Sequence, residues 1–420
     1  MISSLVLSML AAQSGSPVLI DTFVGSREGS QFGSTTLDMG DLNGDGVADL
    51  AIASPEHAFP ELLTYATGRV DVISGASNLP LYRVDVNPNS FDTAGTTLLN
   101  MGDLDGDGIN DLWIGAAGRP IAFTVSGADG SLLYRIVAEH FRFATSFDTI
   151  DDLNNDGKPE VVVGFWSDSV TLPSSELLFQ TGRVQIFDGA DGSVMIDVHG
   201  HHSFQGFGGR VLNAGDLDGD GVSDIIIIDQ GFGLGNFAIR AFSGADGHSL
   251  YIVRDQRVNT LSQISIDQLD DFNADGVPDL LLSAHTFENA AGHATGFTAI
   301  LSGSDGSSLH EIFGPGYPWP GRNAANVGDV SGDGIRDFAV GEPLSVNGVE
   351  HLGVKLYSGA DASLLAVIDS GQSSWTGHSL SGCSDRDGDG VGELVLGIPQ
   401  STRNGVPWES LGEVLIYALH

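Results

Sequence analysis

Seven short apolar runs punctuate the chain: LAIAS from Leu50, LWIGA from Leu112, VVVGF from Val161, IIIID from Ile225, LLLSA from Leu280, FAVGE from Phe338 and LVLGI from Leu394. Runs of this length, rich in β-branched residues, read as strands buried on both faces rather than as helices. After each run comes a variable segment and then an alternating strand, as in GRVDVISG (68–75), GRVQIFDG (182–189) and GEVLIYAL (412–419). A Gly-containing hairpin follows, as in SGADGSL (126–132), DGADGSV (188–194) and SGSDGSS (302–308). Small residues and Gly supply the positive φ that such a turn needs. A fourth strand then closes the unit, for example LLYRIV or VMIDVH.

The pattern predicts an all-β protein of seven units, each of four antiparallel strands. Units of this kind arranged around an axis form a β-propeller, whose closure protects most strand edges. The ends of the chain support closure. GEVLIYALH reads as the third strand of the last unit, with no fourth strand after it. VLIDTFVGSREGSQFG (18–33) matches the fourth strand and following loop at VMIDVHGHHSFQGFG (194–208). The N-terminal strand is therefore expected to complete the last blade, and residues 17–420 to form one seven-bladed propeller. Residues 1–16, with an apolar Leu5–Ala12 and small residues at Ala11 and Ala12, read as a signal peptide for export or else a disordered N-terminus.

An acidic loop precedes every apolar run. The seven copies start at Asp41, Asp103, Asp152, Asp216, Asp271, Asp329 and Asp385, 49 to 64 residues apart. Counting that Asp as position 1, oxygen-bearing side chains recur at positions 3, 5 and 9, and position 7 can offer its carbonyl. The candidate ligands are Asp41, Asn43, Asp45, Val47 and Asp49 in loop 1, and Asp103, Asp105, Asp107, Ile109 and Asp111 in loop 2. Loop 3 offers Asp152, Asn154, Asp156, Lys158 and Glu160; loop 4 offers Asp216, Asp218, Asp220, Val222 and Asp224. Loop 5 offers Asp271, Asn273, Asp275, Val277 and Asp279; loop 6 offers Asp329, Ser331, Asp333, Ile335 and Asp337. Loop 7 offers Asp385, Asp387, Asp389, Val391 and Glu393. Hard oxygens at this spacing, with Gly at position 6 for a sharp turn, suit Ca²⁺.

An EF-hand starts in the same way but places a bidentate Glu at position 12 and continues as a helix. Position 12 is apolar in all seven copies here, so the acid at position 9 must close each site. Asx-turns alone would explain one such loop. Seven copies hold 24 of the 55 acids, and that crowding implies a cation. Up to seven Ca²⁺ ions are expected. Loops 2, 4 and 7, with four carboxylates each, should bind most tightly, and loop 6, with Ser331 at position 3, should be among the weakest.

Composition narrows the function. Acids outnumber Lys and Arg 55 to 17, a net charge of −38, which argues against nucleic acid and anionic membrane surfaces as partners. No apolar run approaches the ~20 residues of a membrane span. The single cysteine, Cys383, excludes an internal disulfide and reads as a small buried hydrophobe. There is no Gly-x-Ser-x-Gly, no HExxH and no phosphate-cradling Gly loop, so no enzyme is expected.

The order FG…DxNxDGxxDLxxxxP…GxVxxxxG, seen best in QFGSTTLDMGDLNGDGVADLAIASP and GRVDVISG, resembles the FG-GAP repeat of integrin alpha chains and their bacterial relatives. The Phe-Gly element is clear at Phe32-Gly33 and Phe207-Gly208. The resemblance covers residues 18–420. It implies a seven-bladed propeller with calcium loops on its lower face, between the first and second strands. It also implies an upper face, made of the 4→1 and 2→3 loops, that meets ligands. On the long 2→3 loops, Phe59, Tyr65, Trp166, Phe179, Phe287 and Trp408 are candidates to grip a protein or stack on a glycan. His199, His201 and His202 cluster in a 4→1 loop, read as solvated. The expected function is an exported adhesion or protein-interaction module at the cell surface or outside the cell, secreted or periplasmic. A glycan-binding lectin is the alternative, and a calcium-dependent polysaccharide-active enzyme stands third.

Overall fold

The computed structural model describes residues 17–57, 67–85, 93–116, 121–137, 146–172, 174–175, 177–231, 237–254, 264–288, 294–313, 323–346, 349–369, 378–400 and 411–419. Among these residues there is no helix, and seven four-stranded antiparallel sheets follow one another as blades. Blade 1 shows the plan: Thr36–Gly40, Asp49–Ser54, Arg69–Ile73 and Pro80–Asp85 pair in that order from the inside outward. The second strand is buried along its whole length in blades 1, 2, 3, 4 and 7. That is why its sequence is continuously apolar rather than alternating.

The ring is closed as the sequence predicts. Pro17–Val24 pairs antiparallel with Glu413–Leu419, so the first strand of the chain is the outermost strand of blade 7. Each blade packs its apolar side chains against the next, giving seven clusters, one at each junction. Alternate residues of one strand serve two junctions. Ile226 and Ile228 pack toward blade 5, Ile225 and Ile227 toward blade 3. At the seam, Phe23, Val414 and Ile416 pack on Leu50, Ile52 and Ile73. Each such buried side chain contributes about 1.5–3 kcal/mol.

The innermost strands are Thr36–Gly40, Ala94–Asn100, Ser146–Ile150, Arg210–Gly215, Ile264–Gln268, Ala324–Gly328 and Ser379–Cys383. They are of two kinds. In blades 1, 2, 4 and 6 the residue before the acidic loop is a glycine with positive φ: Gly40, Gly102, Gly215 and Gly328. Its N–H is received by Asp38, Asn100, Asn213 or Asn326 two residues earlier. In blades 3, 5 and 7 that residue is Asp151, Asp270 or Ser384, and a serine five residues earlier accepts an N–H from the next blade. Val211 donates to Ser146, Ala324 to Ser265 and Thr36 to Ser379. Asp148 and Asp267 likewise accept the N–H groups of Asn213 and Asn326. Both carboxylates line a polar cavity of about 480 Å³ at the centre of the ring, with Arg210, Asn323 and His378. Burial raises Asp148 to about 7 and Asp267 to about 6.

The 2→3 connections differ from expectation. In blade 5 strands 2 and 3 extend to Glu288 and from Ala294, so the backbone of Phe287 pairs with Thr295 instead of lying in a loop. A long hairpin between two buried strands can continue its own ladder outward, and this one does. Blade 3 carries a small extra hairpin, Val170–Thr171 with Leu177–Leu178. Phe59, Tyr65 and Trp408, like residues 1–16, lie outside the described residues.

Candidate metal centre

All seven acidic loops lie between the first and second strands of their blades, at one end of the ring. Each is wound around its position-1 carboxylate. Asp103 Oδ1 accepts the N–H groups of Gly106 and Asp107, and Oδ2 that of Gly108, at 2.7–3.1 Å. These bonds, that from Gly108 first, hold the Asp103 carboxyl below the usual carboxylate range. The turn is possible because position 6 has φ near +90° in every loop, for example Gly46 at 91° and Gly276 at 90°. A Cβ there would touch nothing. Backbone conformation, not crowding, demands the glycine. The position-5 carboxylate accepts the N–H of position 7, as Asp107 does from Ile109.

Position 9 sits differently. Asp49, Asp111, Asp224, Asp279 and Asp337 are fully buried at the start of the second strand. In each, one oxygen accepts the N–H of position 2 and the other accepts the glycine N–H of the turn between strands 3 and 4. Burial raises all five. This second bond is not apparent in the loop spacing, because its donor lies 16 to 26 residues downstream. The small residue and Gly that open each of those turns are the available signal.

Where position 3 is also an acid, three carboxylates converge. Asp103, Asp105 and Asp111 place an oxygen each within 4.8 Å of one another, as do Asp216, Asp218 and Asp224, and Asp385, Asp387 and Glu393. These are loops 2, 4 and 7. Loop 3 adds an independent sign: Glu160 is fully buried, one oxygen takes the Leu153 N–H, and Oε1 has no protein partner. A buried carboxylate oxygen left unpaired is costly. Such groups fit a metal ion.

Loop 7 departs at position 2, where six loops carry Leu, Phe or Val and this one carries Arg386. Its side chain is 2% exposed. The guanidinium donates to Ala48 O at 3.2 Å, Gly75 O at 2.9 Å, Asn78 Oδ1 at 3.0 Å and Asp21 Oδ2 at 3.3 Å.

At the opposite end of the ring, Phe179 is 53% and Phe204 42% exposed. The Phe204 N–H bonds to Phe179 O, and the Phe179 N–H to Ser203 Oγ. Leu177, two residues before Phe179, is exposed as well, and Trp166 is half-buried. The sequence pattern does not single out Phe204, because histidines dominate its 4→1 loop. Its position beside Phe179 depends on the blade 3 hairpin.

The FG-GAP repeat family profile matches residues 34–73. Over 112 residues the chain is 31% identical to integrin alpha-PS3 of Drosophila melanogaster, covering 26% of this chain and 10% of that protein. Over 188 residues it is 30% identical to human integrin alpha-11, covering 39% of this chain and 15% of that protein. The chain carries an integrin alpha-like FG-GAP propeller. The FG-GAP match starts just before the first strand of blade 1 and ends with its third, so it spans loop 1 entirely. The segments matched in these relatives span only 10% and 15% of their lengths. Among solved structures, that of the V. cholerae biofilm matrix protein Bap1 aligns with TM-score 0.49 and 12% identity, covering 98% of this chain and 89% of that one.

Proposed function

We propose that this FG-GAP propeller is an extracellular, non-enzymatic adhesion or protein-interaction module, stabilised by Ca²⁺ on its lower face. The observation that carries the ligand reading is the exposed Phe179–Phe204 pair on the face opposite the acidic loops. Two large aromatic side chains held in water by a hydrogen-bonded loop and hairpin suit a partner's apolar surface. The integrin alpha matches support the same class.

Ca²⁺ is the cation proposed because the donors are all hard oxygens. In each loop the side chains of positions 1, 3, 5 and 9 would hold it, with the position-7 carbonyl as a further ligand. Bound ion would neutralise the crowded carboxylates and brace the first strand against the second. The protein's own part is to present those carboxylates already oriented by backbone N–H groups.

The test is binding of the folded chain to panels of immobilised extracellular proteins and of glycans, in calcium and then in chelator. Saturable protein binding that Phe179→Ala and Phe204→Ala abolish, with melting unchanged, supports the proposal. Binding restricted to a defined glycan set would transfer the same aromatic pair to a lectin. Turnover of a polysaccharide would overturn the non-enzymatic reading.

A further inference from the structure

Acidic loops 7 and 1 belong to the adjacent blades of the seam where the ring closes, and one residue, Arg386, bonds to the frameworks of both, to loop 7 through its backbone N–H and to loop 1 through its guanidinium. The Arg386 N–H donates to both oxygens of Glu393, the position-9 group of loop 7, at 3.0 and 3.1 Å. The guanidinium of the same residue holds Ala48 O, the carbonyl immediately before Asp49, the position-9 group of loop 1. It also holds Gly75 O, and the Gly75 N–H is the donor that fixes Asp49 Oδ1. Asp21 on the N-terminal strand and Asn78 complete the cage, and Asn78 Nδ2 donates to Asp21 Oδ1 at 2.7 Å.

We propose that Arg386 is a positioning residue that couples cation binding at loop 7 to cation binding at loop 1, making the two seam sites cooperative. The inference rests on the reading of the acidic loops as cation sites. Its physical content is a short rigid path. Drawing Glu393 and Asp387 onto an ion fixes the backbone of residue 386, which fixes its guanidinium. That in turn holds the two backbone elements flanking Asp49. The non-covalent links are hydrogen bonds made by buried or partly buried groups, where a displacement at one end is not absorbed by solvent. The coupling must be reciprocal, so occupation of loop 1 favours loop 7 to the same extent. The other loops carry an apolar residue at position 2 and lack this connection.

The experiment is a calcium titration of the full chain followed by hydrogen exchange, with protection read separately on peptides spanning 41–49, 216–224 and 385–393. Asp387→Asn impairs loop 7 at an exposed position. It is expected to raise the calcium midpoint of loop 1 about fivefold and to leave loop 4 unchanged. Asp45→Asn is expected to shift loop 7 by the same factor. In an Arg386→Leu background, Asp387→Asn is expected to leave loop 1 where it is. If Asp387→Asn does not move loop 1 while the wild-type loops all gain protection, the coupling is wrong and the cation reading stands. If no wild-type loop gains protection, the cation reading fails and the coupling with it.

Discussion

Asp49 and Gly75 are joined by a 2.8 Å hydrogen bond from the Gly75 N–H to Asp49 Oδ1, across 26 residues. Asp49 therefore belongs to the fold as well as to loop 1. Asp49→Ala leaves the buried Leu42 and Gly75 amides unpaired, at about 1–3 kcal/mol each. It is expected to lower the melting temperature both with calcium and with chelator. Asp45→Asn, exposed and nearly isosteric, is expected to lower it only with calcium. Thermal melts of the two variants under both conditions check this. Equal behaviour of the pair would remove the dual role of position 9.

Calcium removal should destabilise the whole ring. A ligand that binds only the folded state contributes about 2.7 kcal/mol per site at a hundredfold excess over its Kd. The expected outcome of chelation is a fall in melting temperature, reversed by calcium. Loops 2, 4 and 7 should retain ion longest in a dialysis series followed by metal analysis. A melt indifferent to calcium, with none retained, would sink the proposal.

Ring closure depends on the strand Pro17–Val24. Phe23 is 8% exposed in the seam cluster. Phe23→Ala is expected to destabilise by about 3–5 kcal/mol, read from denaturant midpoints. Hydrogen exchange should then increase first along Glu413–Leu419, the strand left with a loosened neighbour.

The central cavity predicts a pH slope. Asp148 and Asp267 have folded-state pKa values of about 7 and about 6, raised by desolvation from the ordinary aspartate value of 3.8. The folded protein then holds more protons than the unfolded chain between about pH 4 and 7, so this contribution to stability is lost as pH rises through that window. Arg336 lowers Asp267 slightly, and Asp267 raises Asp148. At saturating calcium, Asp148→Asn with Asp267→Asn is expected to flatten the slope of unfolding free energy between about pH 5 and 7.5. An unchanged slope would assign it to other groups.

The fold is legible because its signals repeat at fixed offsets. The buried second strands, the Asp and Gly positions of the loops, and the match between 18–33 and 194–208 all depend on local backbone demands. The candidate sites are legible to the same depth: positions 1, 3 and 9 converge in loops 2, 4 and 7, the loops with the highest acid count. What stays hidden depends on partners distant in sequence. The bond from Gly75 to Asp49, the path from Arg386 to Gly75, and the pairing of Phe204 with Phe179 each need the blades assembled before donor and acceptor meet. Arg386 is visible as the one charged residue in its column, but its purpose is not. Phe287 reads as a loop residue because a hairpin's length follows from cross-strand pairing that no single segment encodes.

The two kinds of innermost strand have a consequence in arithmetic. Blades 2 to 7 alternate between the glycine kind and the serine kind, so the natural tile of the ring is a pair of blades. Seven is odd, and no alternating colouring of an odd cycle closes. Like must meet like once, and it does so between blades 1 and 2, where Thr35 Oγ1 reaches Thr96 O at 3.4 Å. This mismatch in parity gives the ring one distinguishable point, so its seven blades are not interchangeable even before their loops are compared.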